Sequence, residues 1–332
     1  MASESGTATD YLDLLSKLKT FLTTDADLIA ASQTWTSLKD TSVEFALPDL
    51  GLLTPERHLY LEGPGLSGTD TIHVNIRAYR DPSNISYFNW DIRAAVGFDG
   101  GESFDTQPGS SPIVTSSTFG GPRITLANSS MNYWFVANGR RFIVVADVNG
   151  TWATMYAGFM LPYATPSEMP YPMYIAGNAG AEDTDSTEVS DKVGSIFDPV
   201  GTLVTPGTNS AYLRDFNGGW ISISNYAWAT GISRNNQSTG AWVWPYNWMY
   251  SEDLAGDIII QNPDGSTTTL PCVIHASING GNVFGELDGV VFMSGVSRSP
   301  ADTLTIGGDT YLVVRSSFRQ NTSFDFAAIN LA

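Results

Sequence analysis

The chain has 332 residues, with 34 acidic and 16 basic side chains and a formal net charge of −18. A surface this negative repels phosphate backbones and anionic membrane surfaces, so nucleic acid is not an expected partner. Hydrophobic residues reach 42% but charged residues only 15%, so the chain can fill a core while its surface is written mostly in Ser, Thr, Asn and Gly.

The opening Met-Ala-Ser-Glu-Ser-Gly-Thr has no basic region and no apolar run, so no secretion signal is expected. From Asp10 to Leu22 the apolar residues Tyr11, Leu14, Leu15, Leu18, Phe21 and Leu22 recur at spacings of three and four, which predicts a helix with one apolar stripe. Thr7 with Asp10 three residues later resembles a capping box. A second short helix is expected from Asp25 to Ala31, capped by Thr24. The stripe has two readings: packing onto the chain's own β body, or an arm that docks on a neighbouring subunit. Tyr11, Leu14, Leu15, Leu18 and Phe21 are the candidate docking residues.

Beyond Trp35 the chain is strands and turns. His58 to Leu61 and Thr71 to Tyr79 read as a strand pair around Gly63-Pro64-Gly65. In the second of these, Ile72, Val74 and Ile76 alternate with His73, Asn75 and Arg77, which predicts one buried and one solvated face. Tyr87 to Val96 is a further strand, and Gly100 to Pro122 a loop rich in small residues. Residues 131–159 are three aromatic and β-branched runs separated by Asn138-Gly139 and Asn149-Gly150. Asn-Gly suits the type I′ turn, so an antiparallel meander is expected. Leu161 to Pro172 is proline-rich and extended, and residues 177–195 form an acidic, Gly-rich loop or crossing.

A second hairpin series follows. Ala211 to Phe216 turns at Asn217-Gly218-Gly219 into Trp220 to Tyr226, and Asp257 to Gln261 turns into Ser266 to Ile274. Val290 to Ser294 is a strand, Thr303 to Ile306 turns at Gly307-Gly308-Asp309 into Thr310 to Arg315, and Phe324 to Leu331 is the last strand. The fold expected is mainly β: antiparallel sandwich-like or barrel-like lobes built from hairpins and meanders, with a short N-terminal helical segment. The chain divides into an arm at 1–35, a first β lobe at 36–180 and a second at 181–332, or forms one continuous β domain.

No segment is long and apolar enough to span a bilayer. The single cysteine, Cys272, forbids an intrachain disulfide and reads as a small buried hydrophobe. His58, His73 and His275 show no metal-binding spacing, and there is no nucleophile elbow and no phosphate loop. With 34 acidic residues, some carboxylate pair always resembles a glycosidase pair, so that signal is empty. The run Glu182-Asp183-Thr184-Asp185-Ser186-Thr187-Glu188 offers oxygen ligands on alternate residues, but it lacks the glycine and distal glutamate of a calcium loop and reads as a solvated loop. No cofactor, metal or catalytic residue is expected. Trp242, Trp244, Tyr246 and Trp248 sit on every second residue, so an extended chain places them on one face. There they serve as core or subunit interface, or as a platform for a sugar ring.

Several stretches resemble a family of tailed-bacteriophage virion proteins. They are residues 6–24, from Gly6-Thr-Ala-Thr-Asp to Phe21-Leu-Thr-Thr24; Tyr133-Trp-Phe-Val-Ala-Asn-Gly-Arg-Arg-Phe-Ile-Val-Val-Ala146; Tyr156 to Pro166, with Tyr171-Pro172; Ala211 to Trp220; and Thr305 to Arg315. The resemblance is scattered over nearly the whole chain and supplies no catalytic residues. It implies a structural protein of the virion but not its position in the particle; the reading taken from the whole sequence is a tail or baseplate component, made in the host cytoplasm and assembling with other virion proteins as a homo-oligomer. A receptor- or glycan-binding tail-tip protein that meets a host surface glycan is the alternative, as is a neck, collar or capsid-decorating protein.

Overall fold

A computed structural model describes residues 1–42, 54–66, 70–80, 88–112, 122–178, 194–199, 210–223, 241–246, 266–276, 282–317 and 326–331. The expected hairpin partner at 257–261, Trp248 and the acidic run 182–188 lie outside these residues.

The chain is mainly β, and every pairing between its named strands is antiparallel. It opens with a strand that the sequence did not announce, β1 (Ala2–Ala8), followed by helix α1 (Tyr11–Thr24). Asp10 caps the helix: its side chain accepts from the backbone N–H of Leu12 and of Asp13, each at 2.8 Å. Asp13 reaches back to the Thr9 N–H at 2.8 Å, so the reciprocal cap runs from Asp10 to Asp13 and not from Thr7. Asp25 ends α1 in an extended conformation and then caps α2 (Ala26–Ala30), a role the sequence assigned to Thr24.

Three sheets follow. The first outer sheet takes β2 (Thr36–Ser42), β3 (Thr54–Gly63), β4 (Ile72–Arg80), β5 (Phe88–Ala95) and β6 (Arg123–Leu126) in sequence order. The meander is present as β7 (Met131–Ala137), β8 (Arg141–Val148) and β9 (Thr151–Phe159). Together with β1, β11 (Met173–Ala176), β12 (Ala211–Arg214) and β13 (Trp220–Ser222) it makes a central sheet ordered β1-β7-β8-β9-β11-β12-β13. The second outer sheet is ordered β14-β15-β16-β19-β18-β17. It comprises β14 (Ala241–Trp244), β15 (Thr269–Ala276), β16 (Asn282–Met293), β17 (Thr303–Ile306), β18 (Asp309–Arg315) and β19 (Phe326–Asn330), and the short β10 (Leu161–Pro162) pairs on β16.

The central sheet is buried on both faces, which explains the unbroken apolar run Phe142-Ile143-Val144-Val145-Ala146 in β8. Phe135, Phe142, Val144 and Met155 face a core shared with α1 and the first outer sheet, through Leu14, Leu18, Ile76 and Ile92. Val136, Ile143, Val145 and Tyr156 face the opposite core, against Cys272, Ile274, Phe292 and Leu312 of the second outer sheet. Burial of this kind contributes roughly 1.5–3 kcal/mol per large side chain. The central sheet takes β1 from the segment 1–35, β7, β8, β9 and β11 from 36–180 and β12 and β13 from 181–332. Strand pairing joins backbones wherever an edge is open, whatever their separation in sequence.

Candidate functional site

The first outer sheet turns a polar face away from the core. Register sets its rows. His58, Arg77, Asp91 and Arg123 stand side by side across β3, β4, β5 and β6, and Tyr60, Asn75 and Arg93 make the neighbouring row. The sequence placed His73, Asn75 and Arg77 on a solvated face. Instead they are buried, as are Asn89, Asp91, Arg93 and Arg123. The loop 97–112 covers part of this face and inserts Phe104. That ring lies 4.5 Å from the Arg77 guanidinium carbon and 5.2 Å from the His58 ring. Arg77 bonds Asp91 at 2.5 Å and Asp105 of the loop at 3.0 Å, while Arg93 lies 3.4 Å from Asp105 and donates to the Pro112 carbonyl. Gln107 holds the loop's own shape: its Nε2 donates to the carbonyls of Asp99, Glu102 and Ser103, and its Oε1 accepts from the Asp99 N–H. The charges thus clasp a loop to a sheet. The signal in the sequence was polar residues at alternate positions of two successive strands, His73, Asn75 and Arg77 in β4 and Asn89, Asp91 and Arg93 in β5, with opposite charges at the paired Arg77 and Asp91.

Burial, and then the neighbouring Arg77, lowers the His58 pKa to about 4, and burial raises those of Tyr60 and Tyr79 to about 12. These three groups therefore keep one protonation state through the neutral range. Near α1, Arg57 grips Asp40 with two hydrogen bonds of 2.8 and 2.7 Å and Lys19 adds a third, which lowers the Asp40 pKa to about 2.

The stripe of α1 is spent inside its own chain. Tyr11, Leu14, Leu15, Leu18, Phe21 and Leu22 are all buried, Tyr11 against Phe88 and Phe21 against Phe135. None of them remains to dock elsewhere. The aromatic series does not share one face. Strand β14 ends at Trp244 and the chain turns at Pro245, so the alternation breaks there. Val243 and Tyr246 enter the second core, where the Tyr246 hydroxyl donates to the Phe326 carbonyl at 2.7 Å. Trp242 and Trp244 lie on the opposite face, Trp242 buried edge-on against His275 and Trp244 partly exposed. Cys272 is buried beside Tyr246, and burial pushes its thiol pKa up.

One further cluster joins all three sheets. At the β7–β8 turn the Asn138 Oδ1 accepts from the N–H groups of Arg140 and Arg141, and its Nδ2 donates to Asp288 of β16 at 2.9 Å. The Asn138 carbonyl accepts from the Trp35 indole at 2.8 Å, and the Gly139 carbonyl from the Gly65 N–H at 2.8 Å. Arg141, wholly buried, lies 3.4 Å from Asp288.

No protein-family model matches the chain, and no curated protein matches it. Among the described residues no group of three or more His, Cys, Asp or Glu side chains could hold a metal ion, and no helix is long and apolar enough to cross a membrane.

Proposed function

We propose that this chain is a structural component of a tailed-phage virion, in the tail or baseplate, which works by protein–protein assembly as a homo-oligomer and without catalysis. The observation that carries the reading is where the resembling stretches fall. Residues 6–24, 133–146, 156–166, 211–220 and 305–315 supply the end of β1 with all of α1, most of the β7–β8 hairpin, the end of β9 with β10, most of the β12–β13 hairpin, and half of β17 with all of β18. The likeness thus follows the framework of the fold rather than any reactive cluster. A body of three sheets, tied by buried charges and by the Asn138 turn, suits a part that transmits load between neighbours. Its partners are other virion proteins and further copies of itself, and a net charge of −18 keeps the protein soluble before assembly and away from nucleic acid.

The test is quantitative mass spectrometry of purified particles, with and without the gene that encodes the chain. Stoichiometric presence, and incomplete particles in its absence, are the expected results. Complete, infectious particles that lack the chain would refute the proposal. A second reading is a receptor- or glycan-binding tail-tip protein, favoured by Trp244, which is partly exposed on an outer face. Trp244→Ala separates the two: particles that assemble normally but no longer adsorb to host cells would establish the second reading. Neck, collar and capsid-decorating positions are distinguished by a density map of the whole particle.

A further inference from the structure

We propose that the free edge of β1 is the surface on which two copies of this chain join, through a two-fold antiparallel pairing centred on Ser5. The inference deepens the homo-oligomer reading above by naming its surface.

The open groups follow from one hydrogen bond. The Asn138 N–H donates to the Arg141 carbonyl at 3.0 Å, so residues 138 and 141 are a hydrogen-bonded pair. In antiparallel ladders such pairs alternate. Even-numbered residues of β7 therefore bond β8, and odd-numbered ones bond β1. Strand β1 pairs Ala2 with Ala137, Glu4 with Phe135, Gly6 with Tyr133 and Ala8 with Met131. The backbone N–H and C=O groups of Ser3, Ser5 and Thr7 consequently point away from the sheet, and these residues are exposed. Among the described residues none of those backbone groups has a hydrogen-bond partner.

An open edge invites another strand, and proteins commonly blunt such edges with short length, bulges, lysines or prolines. Among the described residues, the other five sheet edges fit that habit. β6, β13, β14 and β17 have four residues or fewer, and β2 carries Lys39 and a break in its register. β1 has seven residues, an unbroken register, and neither proline nor lysine.

What fits this edge best is β1 itself. Pairing about Ser5 sets Ser5 opposite the partner's Ser5, Ser3 opposite the partner's Thr7, Glu4 opposite the partner's Gly6 and Ala2 opposite the partner's Ala8. No like charges face each other, and every facing pair contains a small residue, so the backbones can close. The Glu4 carboxylate is drawn back over its own chain, where it accepts from the Tyr133 hydroxyl at 2.7 Å. Three hydrogen-bonded pairs then form, Ser3 to Thr7 twice and Ser5 to Ser5, which unite two central sheets across the two-fold axis.

Sedimentation velocity of the full chain over a concentration series tests this. The wild type should form dimers. Ser5→Pro removes an outward N–H and leaves the β1–β7 ladder whole, so it should raise the dissociation constant about tenfold or more with an unchanged circular dichroism spectrum. Should that variant fail to fold, Ser5→Cys carries the test: a short bifunctional thiol reagent should link two copies through residue 5, since the native Cys272 is buried. Dimers that survive Ser5→Pro, with no cross-link at residue 5, would overturn this surface and leave the homo-oligomer reading standing. A wild-type chain that stays monomeric, and loses only a different virion protein on Ser5→Pro, would overturn the second copy as occupant and leave the virion reading intact.

Discussion

At Asn149-Gly150 the chain turns in open space; at Asn138-Gly139 it turns inside the molecule. The first is the hairpin turn expected of the dipeptide, with φ of 54° at Asn149 and 86° at Gly150, and a methyl group on Gly150 would meet nothing within 4 Å. At the second, neither residue has positive φ. Gly139 is required there for closeness: a Cβ would lie 2.4 Å from the Gly65 carbonyl oxygen. One dipeptide thus serves a dihedral need in one place and a packing need in the other. A tight turn sits harmlessly at a surface, but a turn enclosed by three sheets must hand each of its polar groups a partner.

Substitutions at the two glycines should separate these needs. Gly139→Val should cost more than about 3 kcal/mol, because the obstacle is another strand pair's backbone, which cannot rotate aside. Urea denaturation checks it, and a loss under 1 kcal/mol would mean that the β3–β4 turn moves freely. Asn138→Ala should cost roughly 2–3 kcal/mol, since it strips two backbone N–H groups and Asp288 of their partner. A double-mutant cycle with Asp288→Ala should show coupling between the sites, whereas Asn149→Ala and Asp288→Ala should simply add.

Acid probes the buried side of the contrast. His58 titrates near 4 in the folded chain and near 6.5 when unfolded, so unfolding takes up a proton between those values. Its contribution is whole above pH 6.5 and is lost as pH falls from there through 4, by an amount on the order of 3 kcal/mol. His58→Gln should flatten the fall in melting temperature across that window. The exposed turn at 149–150 adds no such slope. The smallest effect belongs to Gly150→Ala, about 1 kcal/mol from the left-handed backbone alone. A loss as large as that of Gly139→Val would erase the distinction between the turns.

Much of the framework was legible along the chain. The period of two and the turn dipeptides located β3, β4, β5, the meander, β12 with β13, and β17 with β18, because those signals arise from neighbours a few residues apart. The period of three and four located α1, and burial of the stripe against Phe88 and Phe135 decided between its two roles. Strand β1 was invisible: Ala-Ser-Glu-Ser-Gly-Thr-Ala has little β propensity, and it is a strand only because β7 offers it an edge. The polar face of β4 was legible as polar but not as buried, since the loop that lids it comes from residues 97–112. The aromatic series around Trp244 failed for a local reason: strand β14 ends at Trp244, and the turn at Pro245 carries Tyr246 to the side of Val243, away from Trp242 and Trp244. The sequence by itself therefore determined the mainly β class, the helix and the hairpins, all products of short-range periodicity and turn chemistry. Only the tertiary structure decided which faces are dry, why each glycine is needed and which edge stays open, because those depend on backbones brought together from distant parts of the chain.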